Sequence, residues 1–306
     1  MALGLCCEWV EADGRGRLVN QVVQKSLQLG RLTTYAEDHI RSTYLANITG
    51  LLDLLRRAAA ADILFVRISS SLFPLFDKVP RYLWDNEEVH AQLKVVGEFI
   101  AAKRLRVNTH PGQFVVLSSD NDSVVRKSIV ELDFHGWLFD RLGLPQTPYY
   151  GINVHGGKGG RSDQLIRGIA GLSESARRRL TLENDEFAYS VDDLLPVCRT
   201  TGVPLVFDVH HHSINPGQLN PNEALAAAVT TWPQGVRPTT HLSNSRPENR
   251  EASVGKRRIH SDYIDTFHPV LKRAHDAGLI DIEVEAKAKN LAIAAIGRMA
   301  AIQAVV

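Results

Sequence analysis

Eight short runs of β-forming residues, separated by stretches long enough to be helices, recur along the whole chain. They are Leu3–Cys7, Ile63–Ile68, Arg106–His110, Tyr149–His155, Leu180–Glu183, Pro204–Val209, Pro238–Leu242 and Ile280–Glu285. Within one intervening segment, Ala36–Ala61, residues Ile48, Leu51, Leu52 and Leu55 fall at helical spacing. Strands that alternate with helices pair in parallel, because each crossover helix carries the chain back to the same end of the sheet. This α/β pattern fits a closed TIM-type (β/α)8 barrel or an open doubly wound sheet. The 306 residues accommodate one barrel, a fold of ~250 residues that often carries insertions. No linker, low-complexity tract or longer repeat breaks the rhythm, so the chain is read as a single barrel domain over 1–306.

The chemistry is concentrated where these runs end. The third ends in His110, the fourth in His155 and the fifth in Glu183. The sixth reaches Asp208 and runs on into His210, His211 and His212. The seventh carries His241 and the eighth Glu285, with His260 on the connection between them. One histidine at a strand end is usually structural, but six successive strands ending in His, Asp or Glu form a pattern. In a barrel these ends converge on the C-terminal face, where active sites lie. Carboxylates packed so closely repel one another, and bound cations relieve that cost. Imidazole and carboxylate donors suit Mn, Zn or Fe, and no thiolate takes part, which excludes a Cys-based structural zinc. So many ligands imply more than one ion, and Glu183, in the middle of the series, is the expected bridge. Multi-metal sites of this kind hydrolyse phosphoesters through a metal-bound hydroxide, with no serine or cysteine nucleophile.

Composition narrows the setting. Hydrophobic residues make up 44% and charged residues 23%, ordinary values for a globular protein. The net charge of +1 means that any contact with nucleic acid needs a local basic surface. Arg177-Arg178-Arg179 is read as a solvated face. Lys256-Arg257-Arg258 stands beside His260, where Lys256 and Arg257 are candidate phosphate contacts. Three sparse cysteines, Cys6, Cys7 and Cys198, suit small buried positions in a reducing compartment. No secretory leader is evident and no apolar run approaches the ~20 residues of a membrane span, so a cytoplasmic location is expected. Gly14–Arg17 and Pro233–Pro238 read as loops and Asn244–Arg258 as a longer polar connection. Gly156-Gly157-Lys158-Gly159-Gly160 lacks the spacing of a phosphate-binding P-loop. It is either a flexible turn or a close backbone approach to a ligand, with Lys158 available to a phosphate.

A set of ordered motifs resembles the UV damage endonuclease (UVDE) family. They are Arg67-Ile68-Ser69-Ser70-Ser71-Leu72-Phe73-Pro74, His110-Pro111-Gly112-Gln113-Phe114, His155-Gly156-Gly157 and Leu182-Glu183-Asn184-Asp185. Asp208-Val209-His210-His211-His212 with Asn215-Pro216-Gly217 follows, then His241-Leu242-Ser243 and Val284-Glu285-Ala286-Lys287. Each is weak alone; in order, and across nearly the whole chain, they are specific. The resemblance implies a TIM barrel related to the endonuclease IV type, with two or three divalent ions, commonly manganese. It implies incision of damaged double-stranded DNA immediately 5′ to a photoproduct, leaving a 3′-hydroxyl. His110, His155 and Glu183 would hold one ion, and Glu183, Asp208, His241 and Glu285 a second. His211 and His260 would hold a third. Glu183 and, from the glycine-rich stretch rather than the resemblance, Lys158 are the candidate catalytic residues. Gln113 and Phe114 match a Gln-Tyr pair inserted at the lesion, although Phe114 lacks the phenolic hydroxyl.

The chain departs from the family elsewhere. Leu5 replaces a tyrosine, Trp9 falls at an asparagine, Ser71 at a ligand histidine of some relatives and Thr239 at a metal-site lysine of others. Two other readings remain open at this level. One is a metal enzyme of the same barrel acting on a small molecule, as a sugar isomerase or phosphoester hydrolase. The other is a DNA-binding relative with little turnover.

Overall fold

A computed structural model of the chain describes residues 2–303, with side chains through residue 298. Its strands are β1 (Leu3–Cys6), β2 (Val10–Ala12), β3 (Leu18–Asn20), β4 (Phe65–Ile68), β5 (Arg106–Thr109), β6 (Ile152–His155), β7 (Leu180–Glu183), β8 (Leu205–Asp208), β9 (Thr239–Leu242) and β10 (Asp281–Val284). Its α-helices are α1 (Glu37–Ala60), α2 (Glu87–Lys103), α3 (Asp122–Arg141), α4 (Ser162–Ala170), α5 (Glu174–Arg177), α6 (Val191–Thr201), α7 (Val209–Ile214), α8 (Pro221–Val229), α9 (Val254–Arg257), α10 (Pro269–Asp276) and α11 (Lys289–Gln303). Eight parallel strands close into a TIM barrel in the order β1-β10-β9-β8-β7-β6-β5-β4. β1 bonds to both β10 and β4, so the open sheet is set aside. Each expected β run contains one barrel strand. The sequence reading missed the β2–β3 hairpin, whose turn is the Gly14–Arg17 loop. Its three-residue strands are too short to show a period.

The barrel strands present apolar side chains to the helices. Val66, Ile68, Val107, Ile152, Val154, Leu182, Phe207, Leu242, Ile282 and Val284 are all buried in one apolar cluster. Facing them, α1 buries Ile40, Tyr44, Ile48, Leu51, Leu55 and Ala58 at helical spacing, and Glu37 and Asp38 in its first turn complement the helix dipole. The Ser190–Asp193 capping box starts α6, and Gly202 at φ 73° ends it.

Inside the barrel the filling is polar, whereas such interiors are dominated by bulky branched residues. Near the N-terminal ends of the strands, Arg106 Nη1 meets Asp281 Oδ2 at 2.8 Å, and the guanidinium lies over the Phe65, Tyr149 and Trp232 rings. Above it, Arg67 on β4 and Asn108 on β5 reach across to Glu283 on β10. The uppermost layer faces the C-terminal mouth. The sheet thus carries ionisable groups inward along its whole height.

Arg177-Arg178-Arg179 corrects a sequence expectation. Arg177 and Arg178 are exposed, but Arg179 is fully buried. Its guanidinium donates to Leu144 O at 2.6 Å and Ser175 O at 3.2 Å and pairs with Asp140 at 2.9 Å. It thereby ties Leu144, just past α3, and Asp140 near the end of α3 to Ser175 in α5. Among the described residues, no helix is long and apolar enough to cross a membrane.

Candidate metal centre

The C-terminal mouth of the barrel holds a cavity of about 640 Å3 lined by His110, His155, Glu183, His211, His260 and Glu285, with Arg67, Gln113 and Arg258. All eight residues read as ligands meet there in one connected cluster. Two triplets have donor atoms within 4.8 Å of one another: His110–His155–Glu183 and Glu183–Asp208–His241. Glu183 belongs to both. Glu285 Oε1 lies 3.5 Å from His241 Nδ1, and Glu285 Oε2 lies 3.7 Å from His260 Nδ1. His211 Nδ1 is 3.2 Å from Glu183 Oε1 and 3.7 Å from Asp208 Oδ2.

Local structure orients each donor. Asp208 caps α7, its Oδ1 accepting the His211 N–H at 2.7 Å, which leaves Oδ2 free and fixes His211 one turn on. Asn184 and Asp208 exchange two hydrogen bonds at 2.9 Å, locking the ends of β7 and β8 together. Asn153 donates to Glu183 Oε2 and turns Oε1 toward the cluster. His110 Nδ1 sits 3.0 Å from Pro111 O, so the carbonyl takes the Nδ1 proton and Nε2 is turned to Glu183 Oε2 at 3.1 Å. Glu183 Oε1, Asp208 Oδ2, His155 Nδ1 and His241 Nδ1 are buried without a hydrogen-bond partner. Buried polar atoms are rarely left so, and the convergence of Glu183 Oε1 and Asp208 Oδ2 on His241 Nδ1, at 3.0 and 3.8 Å, fits a ligand set. The residues present therefore suit divalent cations held by nitrogen and oxygen donors.

The electrostatics agree. Burial opposes the charge on Glu183, but the His241 and His155 imidazoles and a hydrogen bond from His110 outweigh it and hold its pKa well below the carboxylate range. Burial likewise opposes protonation of His241, yet Glu183 and Glu285 hold its pKa well above the imidazole range. Protons on imidazoles thus balance the carboxylates, and loading a cation would release them.

Beneath the cluster lies a layer that strand-end reasoning missed. Arg67 grips Glu283 through Nε–Oε1 at 2.7 Å and Nη2–Oε2 at 2.8 Å, and its Nη2 also reaches Glu285 Oε1 at 2.6 Å. His241 Nε2 stands 3.0 Å from Glu283 Oε2 and 3.2 Å from Arg67 Nη2. Arginine can only donate, so the Nε2 proton goes to Glu283, and Nδ1 is the nitrogen that would offer a lone pair once a cation displaces its proton. This is the carboxylate–histidine arrangement that sets ligand tautomers at metal sites. Asn108 donates to the same carboxylate at 3.0 Å. Burial alone would raise the Glu283 pKa; Arg67 and His241 outweigh it and hold it at about 2. The available signal was Ile280–Glu285, in which Asp281, Glu283 and Glu285 alternate with apolar residues.

The remaining candidates lie around the mouth. Gln113 and Phe114 are on the loop after β5, and Phe114 is 84% exposed. Lys158 is not brought to the cluster: its ammonium pairs with Asp120 and it borders a neighbouring cavity. The glycines around it serve loop packing. Gly157 has φ +94°, and a Cβ on Gly159 would stand 2.7 Å from Ala188 O. Lys256 is exposed on α9, which with a 3-10 turn at Pro247–Asn249 structures the long polar connection. Arg257 donates to Ser213 O at 3.1 Å. Of the three basic neighbours, Arg258 is the one that lines the metal-ligand cavity. Leu5 is buried in the apolar core, Trp9 packs against it, Ser71 is exposed and Thr239 is buried. Cys6 and Cys198 are buried as expected, whereas Cys7 is half-buried and lines the cavity.

The family model for UV-endonuclease UvdE matches residues 3–305. The UV DNA damage endonuclease of Nostoc sp. is 38% identical over 299 residues, covering 95% of this chain and 88% of that protein. That of Deinococcus radiodurans is 37% identical over 307 residues, covering 97% and 95%. The crystal structure of SacUVDE superposes with a TM-score of 0.77 at 28% identity, over 95% of both chains. L-ribulose 3-epimerase, at 16% identity and a TM-score of 0.52 over 94% of this chain and 82% of its own, shares the fold alone.

Proposed function

The chain belongs to the UV-endonuclease UvdE family, and on that premise we propose that the shared-carboxylate cluster is the centre with which it incises DNA immediately 5′ to a photoproduct. It is a UV-damage DNA endonuclease, a hydrolase of phosphodiester bonds, which sets aside the small-molecule reading. The observation that carries the proposal is the convergence of two ligand triplets on Glu183, with buried donor atoms that no protein group satisfies. His110, His155, Glu183, Asp208, His211, His241, His260 and Glu285 would hold two or three divalent ions. Manganese is favoured, and zinc or iron is compatible with the same donors. Such ions supply Lewis-acid polarisation of a phosphodiester and an acidified water.

The protein's own part is placement. Asn153 and His110 hold one oxygen of Glu183, which keeps the other aimed at His211 and His241. Glu283 fixes the His241 tautomer, and Arg67 bridges Glu283 and Glu285 and offsets part of their charge. Gln113 and Phe114 stand at the lip, where they can enter a duplex already weakened by a lesion and fill the gap. Lys256, Arg257 and Lys158 are read as backbone-phosphate contacts, which position DNA without reading its sequence.

Phe114→Ala separates this wedge from the chemistry. The preference for nicking a photoproduct duplex over an undamaged one should fall by about 1–3 kcal/mol, the worth of one base–aromatic stack. Metal content should not change. An unchanged preference in the variant would remove Phe114 from lesion recognition.

A further inference from the structure

A second cavity, of about 390 Å3, opens between the loops that follow β5, β6 and β7. Gln113, His155, Glu186 and Arg258 border it and the metal-ligand cavity alike, so the two spaces adjoin. Phe187, a residue 61% exposed, lines it. A ring left in water contributes little to folding, yet its loop is tightly built. The Asp185 N–H donates to Tyr189 O at 2.9 Å, closing the turn. Asp185 Oδ1 accepts the N–H groups of Phe187, at 2.7 Å, and of Ala188. Asn215 Nδ2 donates to Asp185 O at 3.1 Å.

The ring is also backed by a cation from another loop. Arg258 Cζ lies 5.4 Å from the Phe187 centroid, and its Nε is 3.3 Å from Glu186 Oε1. Glu186 Oε2 in turn stands 3.6 Å from Nε2 of His211. A line of contacts therefore runs from the ligand cluster through Glu186 and Arg258 to the exposed ring. Val115, Val116 and Ala188 supply apolar walls, and Lys158 a cation at the margin.

A flat apolar surface, fixed in advance, backed by a guanidinium and adjoining a phosphodiester-cutting centre, matches one chemical class well. That class is the nucleobase, with a π-face to stack and an attached phosphate to meet the cations. We propose that Phe187, backed by Arg258, is a second stacking platform that receives an unpaired base of the bound DNA, apart from the Gln113–Phe114 wedge. This rests on the reading of the chain as a DNA endonuclease. Phe187 is exposed and outside the ligand set, so its replacement leaves the fold and the metal donors in place.

The test is fluorescence anisotropy of the full chain in EDTA, where no strand is cut, with a labelled duplex bearing one photoproduct. Phe187→Ala and Phe187→Leu should each weaken binding by about 5- to 150-fold, and Phe187→Tyr should stay within about threefold of wild type. Melting temperatures should match the wild type throughout. Wild-type affinity in folded Phe187→Ala overturns the proposal, and so does full rescue by Leu, which restores apolar bulk without a π-face. Nicking of the same duplex by the wild-type chain in Mn2+ separates the two readings. Incision together with unimpaired binding by Phe187→Ala defeats the stacking platform alone. Absence of incision together with weakened binding by Phe187→Ala defeats the endonuclease reading and leaves the platform standing.

Discussion

Glu183→Gln is expected to stop incision, lowering the rate by at least about 10^3-fold, more than the 10- to 100-fold typical of losing an outer-shell partner. Glu183 is the only residue common to both ligand triplets, so one substitution removes a donor from each. Glutamine keeps the shape and retains a neutral oxygen, but it cannot carry the charge that offsets two neighbouring cations. The imidazoles of His155 and His241, which now face a carboxylate, would face an amide. Metal content after dialysis against Mn2+ should fall with the rate, while circular dichroism should show an intact barrel. Wild-type turnover in this variant would sink the assignment of Glu183 as the shared ligand.

Glu283→Gln should combine a stability loss with a loss of metal affinity. Glu283 is wholly buried between Arg67, Asn108 and His241. Its pKa of about 2 means that the carboxylate is charged throughout the working range. Removing one partner of a buried ion pair costs about 3–5 kcal/mol, because the remaining charge is left uncompensated. Here Arg67 keeps Glu285, so the cost should lie toward the lower end. His241 loses the acceptor that fixes its tautomer, and affinity for Mn2+ should fall about 10- to 100-fold. Thermal unfolding and titration calorimetry read the two effects separately. A destabilised variant with unchanged Mn2+ affinity would make Glu283 a structural residue only.

The contrast between these two residues shows what the sequence could reveal. Glu183 announced itself because it closes a strand in a series whose neighbours also end in ligand-type side chains. The barrel made those ends converge, and the strand boundaries needed to see this were short apolar runs with clear edges. Glu283 is one residue pair further from the mouth and 216 positions from Arg67. Its strand alternates acid with apolar residue, a pattern that also describes a sheet with one solvated face. Only closure of the barrel turns that acidic face inward. Arg179 failed for a related reason: a run of three arginines looks uniform, yet the turn after α5 points the third at Asp140 and Leu144 O, where α3 ends. Lys158 sits beside glycines that suggested either a flexible turn or an approach to a ligand, whereas Gly156, Gly157 and Gly159 admit Tyr189, Ser118 and Ala188 of neighbouring loops.

The most direct measurement is nicking of a labelled duplex with one defined photoproduct, in Mn2+ and in EDTA, beside undamaged and abasic duplexes. The expected result is a single cut immediately 5′ to the photoproduct, present with Mn2+, absent with EDTA and restored when Mn2+ is returned. A cut of equal rate in EDTA, or none on any duplex from a folded chain loaded with metal, would contradict a metal-dependent damage endonuclease built on this cluster.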